Sequence, residues 1–396
     1  MHEKDILVFS SFPKKGKTHE KNTVGVASYT KNILKHVSQY DSSFRFTVLS
    51  EVLTKPETYQ EENITVQRVW KRNQIPSIVK TVLTMRSLPQ QHVLVSFEIR
   101  MVGSMSVNIP FFLSLILLKL AGKKLTIIVH QVVRDFGSVE PSPIKTWFLN
   151  RMKNILYLYI TLLFNHIIVF EAAFRKQFYN AKKCIVIPHA IEELPRLSQA
   201  EARAELKLQH DKTYLLCFGY ISPYKGLREL LEQYKPNLGK LIIAGGENPH
   251  LTNDPTYRRY AETVFTLAKS KKAHITGYIM EKHIPHYYHA ADIVLFPYLL
   301  FFSSSGPLSF AFAAEKPVLI SHALKDYALS KDIRKGLQQA NLTLHDITFD
   351  LSKDNLSKKL TNVENKKQSF IQFSKYMKNV RSWNNISQIY AKYLVY

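Results

Sequence analysis

Two stretches of this sequence set a cation or hydroxyl groups where the chain turns from strand to helix, a setting in which backbone can hold an anion. The first is Phe218-Gly219-Tyr220-Ile221-Ser222-Pro223-Tyr224-Lys225-Gly226, which follows a strand-like run and opens a helix over residues 227–233. A glycine permits the tight turn, Pro223 fixes the approach, and Lys225 at the helix start can meet a phosphate that the helix N-terminus also favours. A plain turn with a solvated lysine fits the same residues. The second is Tyr298-Leu299-Leu300-Phe301-Phe302-Ser303-Ser304-Ser305-Gly306-Pro307-Leu308, between a strand-like run at 293–296 and a helical one at 309–314. Its serines and glycine offer hydroxyls and N–H groups to an anion, although serine also fills ordinary helix N-caps. Both loops lie at strand ends in one half of the chain, which strengthens the phosphate reading. In the other half, His130 ends the run Thr126-Ile127-Ile128-Val129, and Glu98 follows Ser96-Phe97. Glu98 reads as a group to orient His130 or to bind acceptor hydroxyls and equally as a surface carboxylate; His130, taken alone, reads more often as a structural or solvent-exposed residue.

The elements that must position these groups alternate, short β-branched runs with longer helical ones, the pattern of doubly wound parallel sheets. Strands are expected at 6–9, 46–49, 93–97, 125–129 and 166–170, with helices at 24–37, 110–120 and 144–164. A second series follows Ile185-Val186-Ile187-Pro188, with strands at 214–218, 240–244, 274–276, 293–296 and 318–320. Residues 192–212 read as a polar linker with one short helix. At 396 residues the chain is too long for one ordinary core, so two domains are expected, 1–190 and 191–376. Trp383, Ile386, Ile389, Tyr390 and Tyr393 fall at helical spacing within 373–396, and the helix 377–396 is expected to pack back on the first domain. Two such domains facing across a cleft would bind ligands at the carboxyl ends of their strands.

Lys plus Arg is 54 against 31 Asp plus Glu, so an anionic partner is expected. The excess gathers at Lys119, Lys123, Lys124, Arg134, Lys145, Arg151, Lys153, Arg175, Lys176, Lys182 and Lys183, against Asp135, Glu140 and Glu171. It adjoins two apolar segments, 109–118 and 154–164, both short of the ~20 residues of a spanning helix and therefore buried or interfacial. The charged start runs directly into a strand without the apolar region of a signal peptide, which reads as cytoplasmic. Cys184 and Cys217 are far apart and cannot supply a zinc site by themselves.

The second half resembles glycosyltransferase family 4 (glycosyl transferases group 1), whose fold is GT-B. The matching pieces, in order, are Val186-Ile187-Pro188-His189-Ala190-Ile191, the Phe218-to-Gly226 loop, Ile242-Ile243-Ala244-Gly245-Gly246, Ile275-Thr276-Gly277-Tyr278-Ile279, Ala290-Ala291-Asp292, Ser305-Gly306 and Lys316-Pro317-Val318. The first half is similar more loosely, through Gly25-Val26-Ala27-Ser28, Ser96-Phe97-Glu98 and Thr126-to-His130. The resemblance implies an α/β fold of two Rossmann-like doubly wound domains and a retaining, metal-independent transfer of a sugar, a hexose foremost, from a UDP- or GDP-linked donor. It implies that Lys225 contacts the donor diphosphate beside Gly219, that Gly277 and Ile279 lie near the base, and that Ser305, Gly306, Pro307 and Leu308 cradle phosphate. Gly25 would border the donor phosphates and His130 the sugar. The sequence departs from the family where Phe302 and Phe310 stand near its pair of glutamates, Tyr220 at its usual basic residue and Glu315 at a customary glycine.

Among other readings, Lys14-Lys15-Gly16-Lys17-Thr18 resembles the end of a phosphate-binding Walker loop, but Ser11 occupies the position of its first glycine. The pI near 9.7 suits nucleic acid, yet no zinc finger, RNP-like strand or basic heptad accompanies it. An anionic membrane met peripherally from the cytoplasmic side explains the charge better, since Lys145, Arg151 and Lys153 flank Trp147, Phe148 and Leu149. No D-x-D motif, metal ligand set or cofactor signature is present. A saccharide or lipid-linked acceptor is expected; the alternative is an inactive nucleotide- or sugar-binding scaffold on the same fold.

Overall fold

The computed structural model of the chain describes residues 3–18, 25–138, 142–249, 251–352 and 355–395. They form two compact units, Met1–Pro188 with Phe302–Ser304 and Trp383–Tyr396, and His189–Phe301 with Ser305–Ser382. Val24, expected to open the first helix, and Glu140 lie outside the described residues.

The first unit is built on β1 (Lys4–Phe9), β2 (Phe44–Glu51), β3 (Glu57–Glu61), β4 (Ile64–Trp70), β5 (His92–Phe97), β6 (Lys124–Val129), β7 (His166–Val169) and β8 (Cys184–Val186). Their order is β3-β4-β2-β1-β5-β6-β7-β8, parallel except that β3 runs antiparallel to β4. Helices on both faces explain why β1, β5 and β6 read as unbroken apolar runs: Leu7, Val8, Val95, Ile127 and Ile128 are all fully buried. One face carries the helices Gly25–Tyr40 and Trp383–Leu394, joined where His36 stacks on Trp383 at 4.7 Å.

The second unit has β9 (Tyr214–Phe218), β10 (Lys240–Ala244), β11 (His274–Ile275), β12 (Ile293–Phe296), β13 (Val318–Ser321) and β14 (Thr348–Phe349). All are parallel, in the order β11-β10-β9-β12-β13-β14. In each sheet the winding reverses beside one strand, β1 between β2 and β5 in the first and β9 between β10 and β12 in the second. Loops leaving the carboxyl ends of adjacent strands diverge at such a point and leave a crevice between them. The α/β class and the paired Rossmann-like sheets therefore stand as expected; Glu98 follows β5, and the Gly219-to-Lys225 and Ser305-to-Leu308 groups follow β9 and β12, whereas His130 follows β6 and Gly277 and Ile279 follow β11.

Several local elements differ from the sequence reading. The hairpin β3–β4, the helix Ile75–Ser87 and the short β14 were not among the expected elements. The expected helix at 110–120 is two, Met105–Ser114 and Ile116–Leu120, meeting at Leu115. The helix expected across 373–396 is also two, Lys367–Val380 and Trp383–Leu394. The break is fixed at Arg381, whose carbonyl accepts the Ile191 N–H at 2.8 Å while its guanidinium binds Asp332 at 2.7 Å.

Two charged residues outside the expected site, one buried and one half-exposed, shape the fold. Arg68 on β4, wholly buried, donates to the carbonyls of Phe12 at 3.1 Å, Pro13 at 2.6 Å and Glu51 at 3.2 Å, and pairs with Glu57 at 2.9 Å. It thereby pins the loop that leaves β1. Glu315 takes the left-handed φ of 58° that a glycine adopts freely, a conformation costing an ordinary residue about 1–2 kcal/mol. Its carboxylate pairs with Lys378 at 2.9 Å, a half-exposed contact of the kind that offsets well under that cost.

Candidate functional site

The loop leaving β9 is shaped by close backbone approach. Gly219 has φ of 104°, and a Cβ there would stand 2.3 Å from the Nζ of Lys225. Gly226 has φ of 65°, and a Cβ there would meet the carbonyl oxygen of Pro297 at 2.0 Å. A Cβ on Gly245 would strike the Gly219 carbonyl oxygen at 2.2 Å, and one on Gly246 would lie 3.2 Å from the Gly277 Cα. The glycines after β9, β10 and β11 thus let three loops touch through bare backbone, with Gly219 N–H on the Ala244 carbonyl at 3.0 Å and Ile221 N–H on that of Gly246 at 2.8 Å.

Lys225 lies within this loop cluster. The sequence reading had it at the helix start, either meeting a phosphate or solvated; Pro223–Lys225 form a 3-10 turn, the helix Leu227–Gln233 begins after Gly226 as expected, and the lysine is buried. Its ammonium donates to the Phe218 carbonyl at 3.4 Å, among Cys217, Leu295, Pro297 and Tyr298. Burial lowers its pKa to about 8, a small part being restored by the neighbouring Cys217. The Cys217 thiol is pushed by burial up to about 12. A cation desolvated in this way, with one long carbonyl contact, gains strongly from an anion brought to it.

Beside it, Ser305 caps the helix Gly306–Ala313, its Oγ accepting the Leu308 N–H at 3.3 Å and meeting the Tyr298 hydroxyl at 3.3 Å. The ordinary N-cap use of this serine is therefore realised. Since Pro307 has no N–H and that of Leu308 is taken, the first-turn amide that the helix itself leaves unsatisfied is Gly306. A Cβ on Gly306 would meet nothing within 4 Å, so open space lies over it. Phe310 stacks edge-on against Phe218 at 6.4 Å and beside Tyr288 at 5.7 Å, an aromatic cluster where the resemblance would place a carboxylate. Gly277, with φ of 77°, and half-buried Ile279 flank Tyr278, whose ring stacks on that of Tyr220 with centroids 6.4 Å apart.

In the first unit His130 follows β6 and is 9% exposed, clamped edge-on by Tyr29 at 5.7 Å and Phe170 at 5.0 Å. Its Nε2 meets the Ser96 Oγ at 2.8 Å; Thr30 donates to that oxygen at 2.7 Å and lies 3.1 Å from the Ser10 hydroxyl. These three hydroxyls are wholly buried. With Thr30 as donor to Ser96, the Ser96 hydrogen is available to Nε2. Glu98 accepts from the Gln131 side chain at 2.8 Å and from the Val26 N–H, and burial raises its carboxyl above the usual range. The orienting partner of His130 in this relay is thus Ser96, while Glu98 holds Gln131. Gly25 is the exposed first residue of its helix, with open space over it.

Three further groups escaped the sequence reading. Glu171, at the end of β7, is wholly buried and accepts from the Ser304 Oγ at 2.9 Å. His189, quoted only within a motif, meets the Ser309 hydroxyl at 3.1 Å, and burial lowers its pKa to about 4. Ser10, Thr30 and Ser96 carry no spacing that would mark them as partners. Among the described residues there is no metal-binding group of three acidic, His or Cys side chains, and no helix long and apolar enough to cross a membrane.

Comparison with known proteins agrees with this geometry. Residues 212–341 match the family described as glycosyl transferases group 1. Over 239 residues the chain is 27% identical to the lipopolysaccharide 1,2-N-acetylglucosaminetransferase of Salmonella typhimurium, an alignment spanning 56% of this chain and 60% of that relative's length. The fold is that of sucrose-phosphate synthase from Thermosynechococcus elongatus (TM-score 0.71, 15% identity, 99% of this chain and 98% of that one). It is likewise that of Anabaena HepE solved with UDP-glucose (TM-score 0.66, 13% identity, 98% and 99%) and of the trehalose-6-phosphate synthase OtsA (0.68, 12%, 98% of each).

The relay generates one expectation that needs no substrate. Ser96→Ala takes from the buried Thr30 hydroxyl the acceptor of its 2.7 Å bond and removes a partner of His130, so urea unfolding should show a loss of about 1–3 kcal/mol. A loss below about 0.5 kcal/mol would show that the relay contributes no more than an ordinary surface contact.

Proposed function

We propose that this chain, which carries a group 1 glycosyl transferase domain at residues 212–341 on a GT-B type fold, transfers a sugar from a nucleotide-sugar to a saccharide or lipid-linked acceptor. The observation that carries the reading is the buried, poorly compensated Lys225 ammonium beside the open N-terminal turn at Gly306, both on loops diverging from β9 and β12. A diphosphate satisfies both at once, one by charge and the other by an N–H. Ser305, Pro307 and Leu308 shape that turn. Gly219 keeps the lysine's place clear, and Gly277 and Ile279 border the base beside the Tyr220–Tyr278 pair.

As the bond to the anomeric carbon breaks, negative charge grows on the departing diphosphate. Fixed donors already aimed at that charge lower the barrier by about 3 kcal/mol each, without a metal. In the first unit His130, held by Ser96, contacts the transferred hexose, and Glu98 with Gln131 binds acceptor hydroxyls; Gly25 borders the donor phosphates. Retention of the anomeric configuration and a UDP- or GDP-linked donor belong to the same proposal. Phe302 and Phe310 favour the rival reading, a nucleotide-binding scaffold without transfer, because they stand where a carboxylate would hold sugar hydroxyls.

The exposed apolar residues of the helix Pro143–Leu163, Ile144 at 81%, Trp147 at 69% and Leu162 at 68%, lie among Lys145, Arg151 and Lys153. An anionic membrane surface suits that mixture, each cation near such a surface contributing about 1 kcal/mol.

A thermal-shift panel of UDP, GDP, ADP and CMP tests the donor site. Selective stabilisation by one nucleotide is expected, with binding roughly 10–100-fold weaker in Lys225→Ala. Indifference to all four would sink the donor-site reading, and binding without transfer of any attached sugar would favour the scaffold. Sedimentation with phosphatidylglycerol vesicles should occur at low salt and decline as salt is raised. Protein that stays in the supernatant at low salt would refute the membrane contact.

A further inference from the structure

We propose that the apolar cavity of the first unit seats the hydrocarbon chain of a phosphate-bearing lipid acceptor, an inference that rests on the transferase reading and narrows its substrate class. The cavity holds about 310 Å³ between the carboxyl ends of β5 and β6 and the helices Met105–Ser114 and Pro143–Leu163. Phe97, Phe112, Val129, Leu149, Leu156 and Ile160 form much of its wall. A sugar or a base in this space would forfeit the hydrogen bonds of its polar groups, whereas a saturated or isoprenoid chain loses nothing by leaving water. Ile109 and Met152, which also line it, are 57% and 42% exposed, so the space is open to an entering chain.

Two observations identify the occupant as a lipid with an anionic head. The 143–163 helix that walls the cavity carries Lys145, Arg151 and Lys153 and no carboxylate, and Lys153 is itself a lining residue. The outward side chains of that helix include Trp147, Phe148 and Ile155, so apolar surface continues from the cavity onto the exposed face. The wall also includes Gln131, which follows His130 and donates to Glu98 at 2.8 Å. A chain lodged here therefore leaves its polar head beside the residues assigned to the acceptor.

The test is calorimetric titration of the purified chain with n-alkyl phosphates from hexyl to tetradecyl, each below its micelle concentration. Affinity should rise by about fourfold per methylene until the cavity is full. Leu156→Trp, which fills the cavity, should flatten the series, and Leu156→Ala should extend the rise to longer chains. A flat series for the unaltered protein overturns the proposal. So does a slope unchanged in Leu156→Trp, which would mean adsorption on the exposed helix face. UDP and GDP binding, read on the same samples, separates the two levels. Nucleotide binding with no chain-length slope removes the lipid seat alone. A slope without nucleotide binding removes the acceptor role along with the transferase reading.

Discussion

Much of the second unit's candidate site depends on the burial of one ammonium. Lys225 lies under the loop at the end of β9 because Gly219 has no side chain to exclude it and because Gly226, against the Pro297 carbonyl, turns the chain back before the next helix. The neighbouring glycines Gly245, Gly246 and Gly277 keep adjacent loops at backbone contact, so the ammonium is enclosed by main chain and apolar side chains. The protein holds a cation in surroundings that disfavour its charge, with the Phe218 carbonyl at 3.4 Å as its partner among the described residues. Such an arrangement lowers stability in the free chain and is recovered when an anion arrives, a division between stability and function common at binding sites.

The first unit uses the opposite strategy. His130 is surrounded by partners: Ser96 on one ring nitrogen, Tyr29 and Phe170 on its faces, and a file of buried hydroxyls behind Ser96. Holding an imidazole by a buried hydroxyl and by ring packing suits a group proposed to contact a sugar. The contrast follows from what each half is proposed to bind, a highly charged diphosphate in one and neutral hydroxyls with an apolar tail in the other.

Sequence patterns revealed the two sheets because parallel strands buried on both faces are short, apolar and β-branched, and the glycine- and serine-bearing loops stand at their ends. Gly219, Lys225, Ser305 and Gly306 were readable for that reason. The inward direction of Lys225 was not, since an exposed and a buried lysine in the same turn have the same spelling. Ser10, Thr30 and Ser96 come from separate elements, and only the pairing of β1 with β5 and the packing of the first long helix bring them together. Arg68 was equally hidden, because a lone arginine in a strand ordinarily points to water. The helix break at Arg381 depends on Ile191, nearly half the chain away, and no local periodicity records it.

The most direct measurement concerns the proton on Lys225. Its folded-state pKa of about 8 lies below the ordinary value of 10.5, so in the free protein the ammonium is already partly neutral at pH values where the unfolded chain would keep it charged. An arriving diphosphate stabilises the charged form and raises that pKa, so binding at a pH just above about 8 must draw a proton from solution. Titrating whichever of UDP or GDP binds, in two buffers of unlike ionisation enthalpy, reads this uptake as a buffer-dependent heat. The account predicts uptake of roughly half a proton or somewhat more in the unaltered chain at that pH, and none in Lys225→Met. Nucleotide binding with no buffer dependence, or with the same dependence in Lys225→Met, would contradict it.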